Sequence, residues 1–367
     1  MVNEVERGLL NWSNELVLHV IELKTNGPAA GLAPLAAEFT RGAREVNRLL
    51  MPLNGMLMPG AMHPWMDPDL ETRLWPHGDR SIYAAYDRIF SCRGHGWSNL
   101  QSAHLNLPFS GDEEFGRLHA AIRLVLPLLP ALAAASPVVN GRITGLLDNR
   151  IEMYRFNQAR IPSITGQVIP EAAFSIEAYQ QTILQNLYRD IAPHDPEGIL
   201  QEEWLNSRGA IARFDRNAIE IRLLDVQETP LADLAIIKLL AVALQELVAE
   251  CHVSWAEQQL WSEICLAEIF QAVLREGRGA QIDDPRYLSM FGVRADRMTV
   301  GDLWRLLADR LVPAADEIWG PLRTLFDEGP LARRIVNVLG QEPGRDQLAA
   351  VYRELCDCLQ EGRLFHA

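Results

Sequence analysis

The stretch RFDRNAIEIRLLD, residues 213–225, constrains this chain more than any other. Ile219, Ile221 and Leu223 alternate with Glu220 and Arg222, the period of a strand with one face on a core. Asp215-Arg216-Asn217 reads as a turn, and the preceding RGAIARF as the other arm of a hairpin. The second face of the 218–225 arm carries a carboxylate beside a guanidinium. What that face looks at decides what the chain can do.

Two other segments raise the same question. ELVLHVIELKT, residues 15–25, is rich in β-branched and apolar residues and stops at the Asn26-Gly27-Pro28 turn signal, so it reads as a strand bearing Glu22. In SNLQSAHLNLPF, His104 and Asn106 fall on one face and Leu105 and Leu107 on the other, a further strand with a polar side. Between them, residues 32–50 show helical periodicity, and a loop dense in Pro, Gly, Met and Trp follows over 51–77. Helix is expected near 113–135 and over 171–191, separated by an irregular basic segment. From Leu231 onward the pattern is a series of helices, with a capping box at Thr299 and Asp302. The expected organisation is a sheet-containing core over 1–230 and a helical region over 231–367 packed on the same domain. Glu4 and Glu6 lack apolar partners and read as a solvated lead-in.

Composition narrows the functional classes. A formal charge of −14 repels a polyphosphate backbone and argues against a general nucleic-acid or anionic-membrane binder, while local basic clusters can still bind a small anion. The apolar run from Ala120 nears bilayer-spanning length, but Arg123 and prolines 127, 130 and 137 interrupt it, so a broken core helix is expected instead. Five cysteines without repeated spacing, Cys356-Asp-Cys358 among them, and an N-terminus without a signal-peptide layout point to a reduced, cytoplasmic protein.

The polar faces carry the chemistry. Glu22, His104, Asn106 and Glu220 offer oxygen and nitrogen donors suited to a hard divalent cation. Arginines crowd the same segments, at 150, 155, 160, 208, 213, 216 and 222, and guanidinium suits bidentate contact with carboxylate or phosphate. Carboxylates for a metal with arginines for an anion fit phosphoryl transfer. No Walker or G-x-G-x-x-G loop is present, so a nucleotide site would be built on the sheet. Histidines 63, 77, 95 and 104 lack zinc-site spacing, which leaves a zinc-dependent hydrolase as the weakest reading.

Taken in order, NELVLHVIELKT, MHPWMDP, HLNLPF, LPLLPALAAASP with DNR, and AIEIRLLDVQETPLADLAI resemble the glutamate-cysteine ligase family of carboxylate-amine ligases. The likeness runs over roughly residues 14–245. It implies an α+β fold of the glutamine synthetase-like type, a curved, largely antiparallel sheet forming a funnel backed by helices. It implies ATP and Mg²⁺, phosphorylation of a substrate carboxylate, and attack by an amine to form an amide, with an amino-acid or carboxylate substrate and an amine as partners. Carried over by position, Glu22 and Glu220 would touch metal, His104 would serve metal and nucleotide, and Asn106 and Arg213 would serve nucleotide. Arg150 and Arg222 would act on the substrate carboxylate or phosphate, and His63 would lie in a covering loop. The family's opening E-x-E-x-E strand has no counterpart among the thirteen residues before Asn14, which points to a chain shortened at its N-terminus. A relative that binds a nucleotide or anion without turnover is the alternative. A shortened sheet also leaves an edge able to pair with a second copy, compatible with a homodimer.

Overall fold

The computed structural model describes residues 3–367. With 52% helix and 12% strand, it is an α+β protein in which small antiparallel sheets sit within a helical framework. One three-stranded sheet joins β1 (Glu4–Arg7), β2 (Leu10–Asn14) and β3 (Ile21–Thr25) in sequence order. After it come α1 (Leu35–Leu50), α2 (Arg80–Phe90), β4 (Ser102–Pro108) and α3 (Gly111–Val125). The hairpin β5 (Ala210–Arg213) and β6 (Ala218–Asp225) lies beside β4 in a second sheet of order β4-β6-β5, ahead of α4 (Pro230–Val248).

Three expectations need correction. The strand expected over 15–25 is two pieces of structure: residues 15–20 leave the ladder, Val17 bridges to Leu74, and pairing resumes only at Ile21. Glu4 and Glu6 are solvated, as expected, but they occupy alternate positions of a paired strand and not an unstructured lead-in. The chain reverses at Gly8, whose φ of +73° is cheap only for glycine, and the apolar side comes from across the ladder, Val5 facing Trp12 and Trp12 facing Leu23. The single curved sheet is, among the described residues, two separate three-stranded ladders together with two-stranded pairs.

The first sheet packs its apolar face on α1. Gly42 permits the approach, since a Cβ there would lie 2.9 Å from Leu23 Cδ2 and 3.2 Å from Leu10 Cδ1. The interrupted apolar run behaves as expected: α3 ends at Val125, a 3₁₀ turn and a short helix follow, and almost every side chain over 120–135 is inaccessible. No helix among the described residues is long and apolar enough to cross a membrane. The main core draws on residues from Leu35 to Phe326 and so mixes side chains from both sides of residue 230. Helix α2 occupies a stretch that apolar periodicity does not assign.

Candidate functional site

The hairpin was legible from its alternation, and its registry fixes the site. Asn106, Glu220 and Ile211 lie in one cross-strand row, as do Leu107, Ile219 and Ala212. Between Ala103 and Leu105 the register shifts, so that His104 opposes two residues of β6. A bulge of this kind re-aims side chains. Here Arg222 and His104 both come to Glu220: Arg222 Nε donates to Glu220 Oε1 at 2.7 Å, and His104 Nδ1 stands 3.7 Å from the same oxygen. Arg213 Nη1 lies 3.5 Å from Glu220 Oε2, while its other nitrogens donate to Asp215 at 3.2 Å.

Glu220 is therefore a buried carboxylate held between two guanidinium groups, with the His104 ring beside them. Burial alone would raise its pKa, but Arg222, then His104 and Arg213, overcome it and carry the carboxyl down to about 2. The His104 ring keeps 33% of its side-chain surface open, yet the protein packed round it pushes its pKa below the ordinary value, against the pull of Glu220.

The first sheet carries a second group of charges. Glu4, Ser13 and Glu22 form one cross-strand row on its polar face. Ser13 Oγ donates to Glu22 Oε2 at 2.6 Å, and Lys24 Nζ sits 3.0 Å from Glu4 and 3.3 Å from Glu22. The charges of the two sheets reach one another: Glu22 acts on His104, Arg222 on Glu15, and Arg216 on Glu4. Glu22, His104, Glu220, Arg213 and Arg222 thus share one electrostatic neighbourhood. Asn106 stands opposite Glu220 with an exposed side chain that makes no hydrogen bond among the described residues.

Arg150 is placed differently. It is 2% exposed, its Nε is paired with Asp225, and Asp225 Oδ2 also accepts from Ala135 N at 2.8 Å and Ser136 Oγ at 2.9 Å. This buried knot pins the end of β6 to the 135–150 segment. Its Nη2 has no partner among the described residues, and its charge still reaches His104. His63 is half-buried in the 51–77 loop, held through backbone and ring contacts to Asn99 and Trp65.

Two residues escaped the sequence reading. Glu15 leaves the ladder after β2, and burial, then the charge of Glu22, raises its carboxyl to about 7. Tyr83 of α2 accepts from Asn14 Nδ2 at 3.0 Å, and burial pushes its phenol up to about 12. A carboxylate followed by Leu-Val-Leu was the available signal for Glu15; nothing local marks Tyr83.

The α+β scaffold thus carries carboxylates and guanidinium groups on the polar faces of its antiparallel sheets. The comparisons with known proteins make this specific. The family described as Glutamate-cysteine ligase family 2 (GCS2) matches residues 1–354, and the chain belongs to it. A protein of Archaeoglobus fulgidus, described only as uncharacterized, is 34% identical over 308 residues, covering 82% of each chain.

Proposed function

We propose that this protein is an ATP-dependent carboxylate-amine ligase of the glutamate-cysteine ligase type, acting through an acyl phosphate, and that the two polar sheet faces line one funnel-like cleft. The observation that carries this reading is Glu220 held ionised between Arg222, Arg213 and His104 on the polar face of the second sheet. A fixed carboxylate beside two guanidinium groups is suited to a phosphate chain that arrives with its own cation.

Among the described residues, no three His, Cys, Asp or Glu side chains gather to hold a metal alone. Mg²⁺ in nucleotide enzymes needs few protein ligands, because phosphate oxygens and waters complete the shell. Glu220 and Glu22 would be those ligands, and the ion would supply neutralisation of phosphate charge. Arg213 and Arg222, freed in part from Glu220, would orient the transferred phosphoryl group. Glu15, with a pKa near neutrality, would accept the proton that the attacking ammonium must shed.

The test is ADP release with glutamate and a panel of amines, with and without magnesium. Magnesium-dependent release above background, lost in a folded Glu220→Ala variant, is expected; release at the buffer rate for every pair overturns the ligase reading. A non-catalytic nucleotide or anion binder is the second reading, favoured by the engagement of both Glu220 oxygens with arginines. Thermal stabilisation by ATP without turnover would select it.

A further inference from the structure

A cavity of about 520 Å³ lies between the 69–74 segment and the C-terminal half of α2, lined by Asp69, Thr72, Arg73, Leu74, Asp87 and Arg93. That volume suits a small metabolite. Its charges are arranged unusually: two carboxylates and two guanidinium groups border one space and form no ion pair with each other. Arg93 and the Asp69 carboxylate have no hydrogen-bond or ion-pair partner among the described residues. Arg73 Nη1 is held by the carbonyls of Leu70 and Thr72 at 2.9 and 2.8 Å, and Asp87 Oδ1 accepts from Cys92 N at 2.9 Å. Thr72 is 5% exposed, and its buried hydroxyl is unpartnered. That hydroxyl oxygen has no accessible surface, so recognition falls to the exposed, unpartnered charges of Arg93 and Asp69.

We infer that this cavity is a binding site for a free α-amino acid. Equal numbers of cations and anions give no net field for a polyphosphate or a polyamine. A zwitterion matches both signs at once: its carboxylate takes the Arg93 fork, and its ammonium takes Asp69 and Asp87. Leu74 supplies an apolar patch. The site is distinct from the Glu220 cleft but tied to it, because Leu18 N donates to Arg73 O at 2.8 Å and Trp75 N to Leu16 O at 3.0 Å. Those bonds clamp the loop that carries Glu15.

The inference stands apart from the ligase reading, and its test omits nucleotide and magnesium. Isothermal titration calorimetry with each free proteinogenic L-amino acid is expected to find at least one that binds. N-acetyl and ethyl-ester derivatives of that amino acid, each lacking one charge, should bind at least about tenfold more weakly. The exposed variants Arg93→Gln and Asp69→Asn, which break no recorded contact, should show a similar loss. The assignment is overturned if no amino acid binds, or if binding is unchanged in both variants or by removal of either ligand charge.

Discussion

Replacing Glu220 by glutamine keeps the shape of the side chain and removes only its charge. In the folded protein the carboxyl is carried from 4.5 to about 2 by Arg222, His104 and Arg213. A fall of about 2.5 in pKa corresponds to about 3 kcal/mol of favourable interaction with the ionised form. Glu220 is 5% exposed, so solvent screening removes little of this. Glutamine still offers an oxygen to Arg222 Nε, which returns about 1 kcal/mol. The expected loss at pH 7 is therefore about 2 kcal/mol, measured by urea unfolding followed through tryptophan fluorescence. Because the folded pKa is depressed, the contribution is complete above the unfolded value near 4.5 and disappears as pH falls through about 2. At pH 3 the charge contribution falls to roughly half. A loss below about 0.5 kcal/mol at pH 7, or one equally large at pH 3, would refute the assignment of Glu220 as a carboxylate held ionised by its arginines.

Glu15 has the opposite sign: its folded pKa is raised to about 7, so the fold favours the protonated form, and the stability this confers is lost as pH rises from about 4.5 through 7. Glu15→Gln should be neutral near pH 4, stabilising at pH 8 in the same urea assay, and should abolish any rise in ADP release centred near pH 7. Gly116→Ala should destabilise by about 3 kcal/mol by thermal unfolding, although alanine is normally favoured in a helix, because the new Cβ would lie 2.2 Å from the Phe174 carbonyl oxygen. ATP with magnesium at about a hundred times its Kd should add about 2.7 kcal/mol and slow amide exchange in β1–β3 and β6 together; protection confined to one sheet would count against a shared cleft.

What could be read in the sequence follows from how local each cause is. Alternation over Ala218–Asp225 and Leu105–Leu107 is enforced by neighbours in the chain, so β4, β5 and β6 and the side on which Glu220, Arg222 and His104 lie were legible. The β1–β2 hairpin was not, because its apolar complement is cross-strand: Val5 has Trp12, and Trp12 has Leu23, at a distance along the chain that periodicity does not sample. The same holds for the break at residues 15–20, where Val17 pairs with Leu74 and His19 Nε2 meets Ser98 O at 2.9 Å. Glu15 acquires its perturbed carboxyl only because that break turns it inward.

Arg150 shows why residue type alone misplaces a role. An arginine in DNR near acidic strands suits anion binding, but Asp225, at the end of the same strand as Glu220, claims its guanidinium, and the pair is sealed with Ser136 and Ala135. Breaking a buried pair leaves an uncompensated charge and costs about 3 to 5 kcal/mol. The residue therefore fixes where β6 ends, and hence where Arg222 stands. Arg222 lies three residues before Asp225, and its carbonyl faces Arg150 Nη1 at 3.4 Å. Of the two arginines expected to share one task, the anchored one sets the position, and Arg222, 19% exposed at its side chain, stays bonded to Glu220 on the polar face.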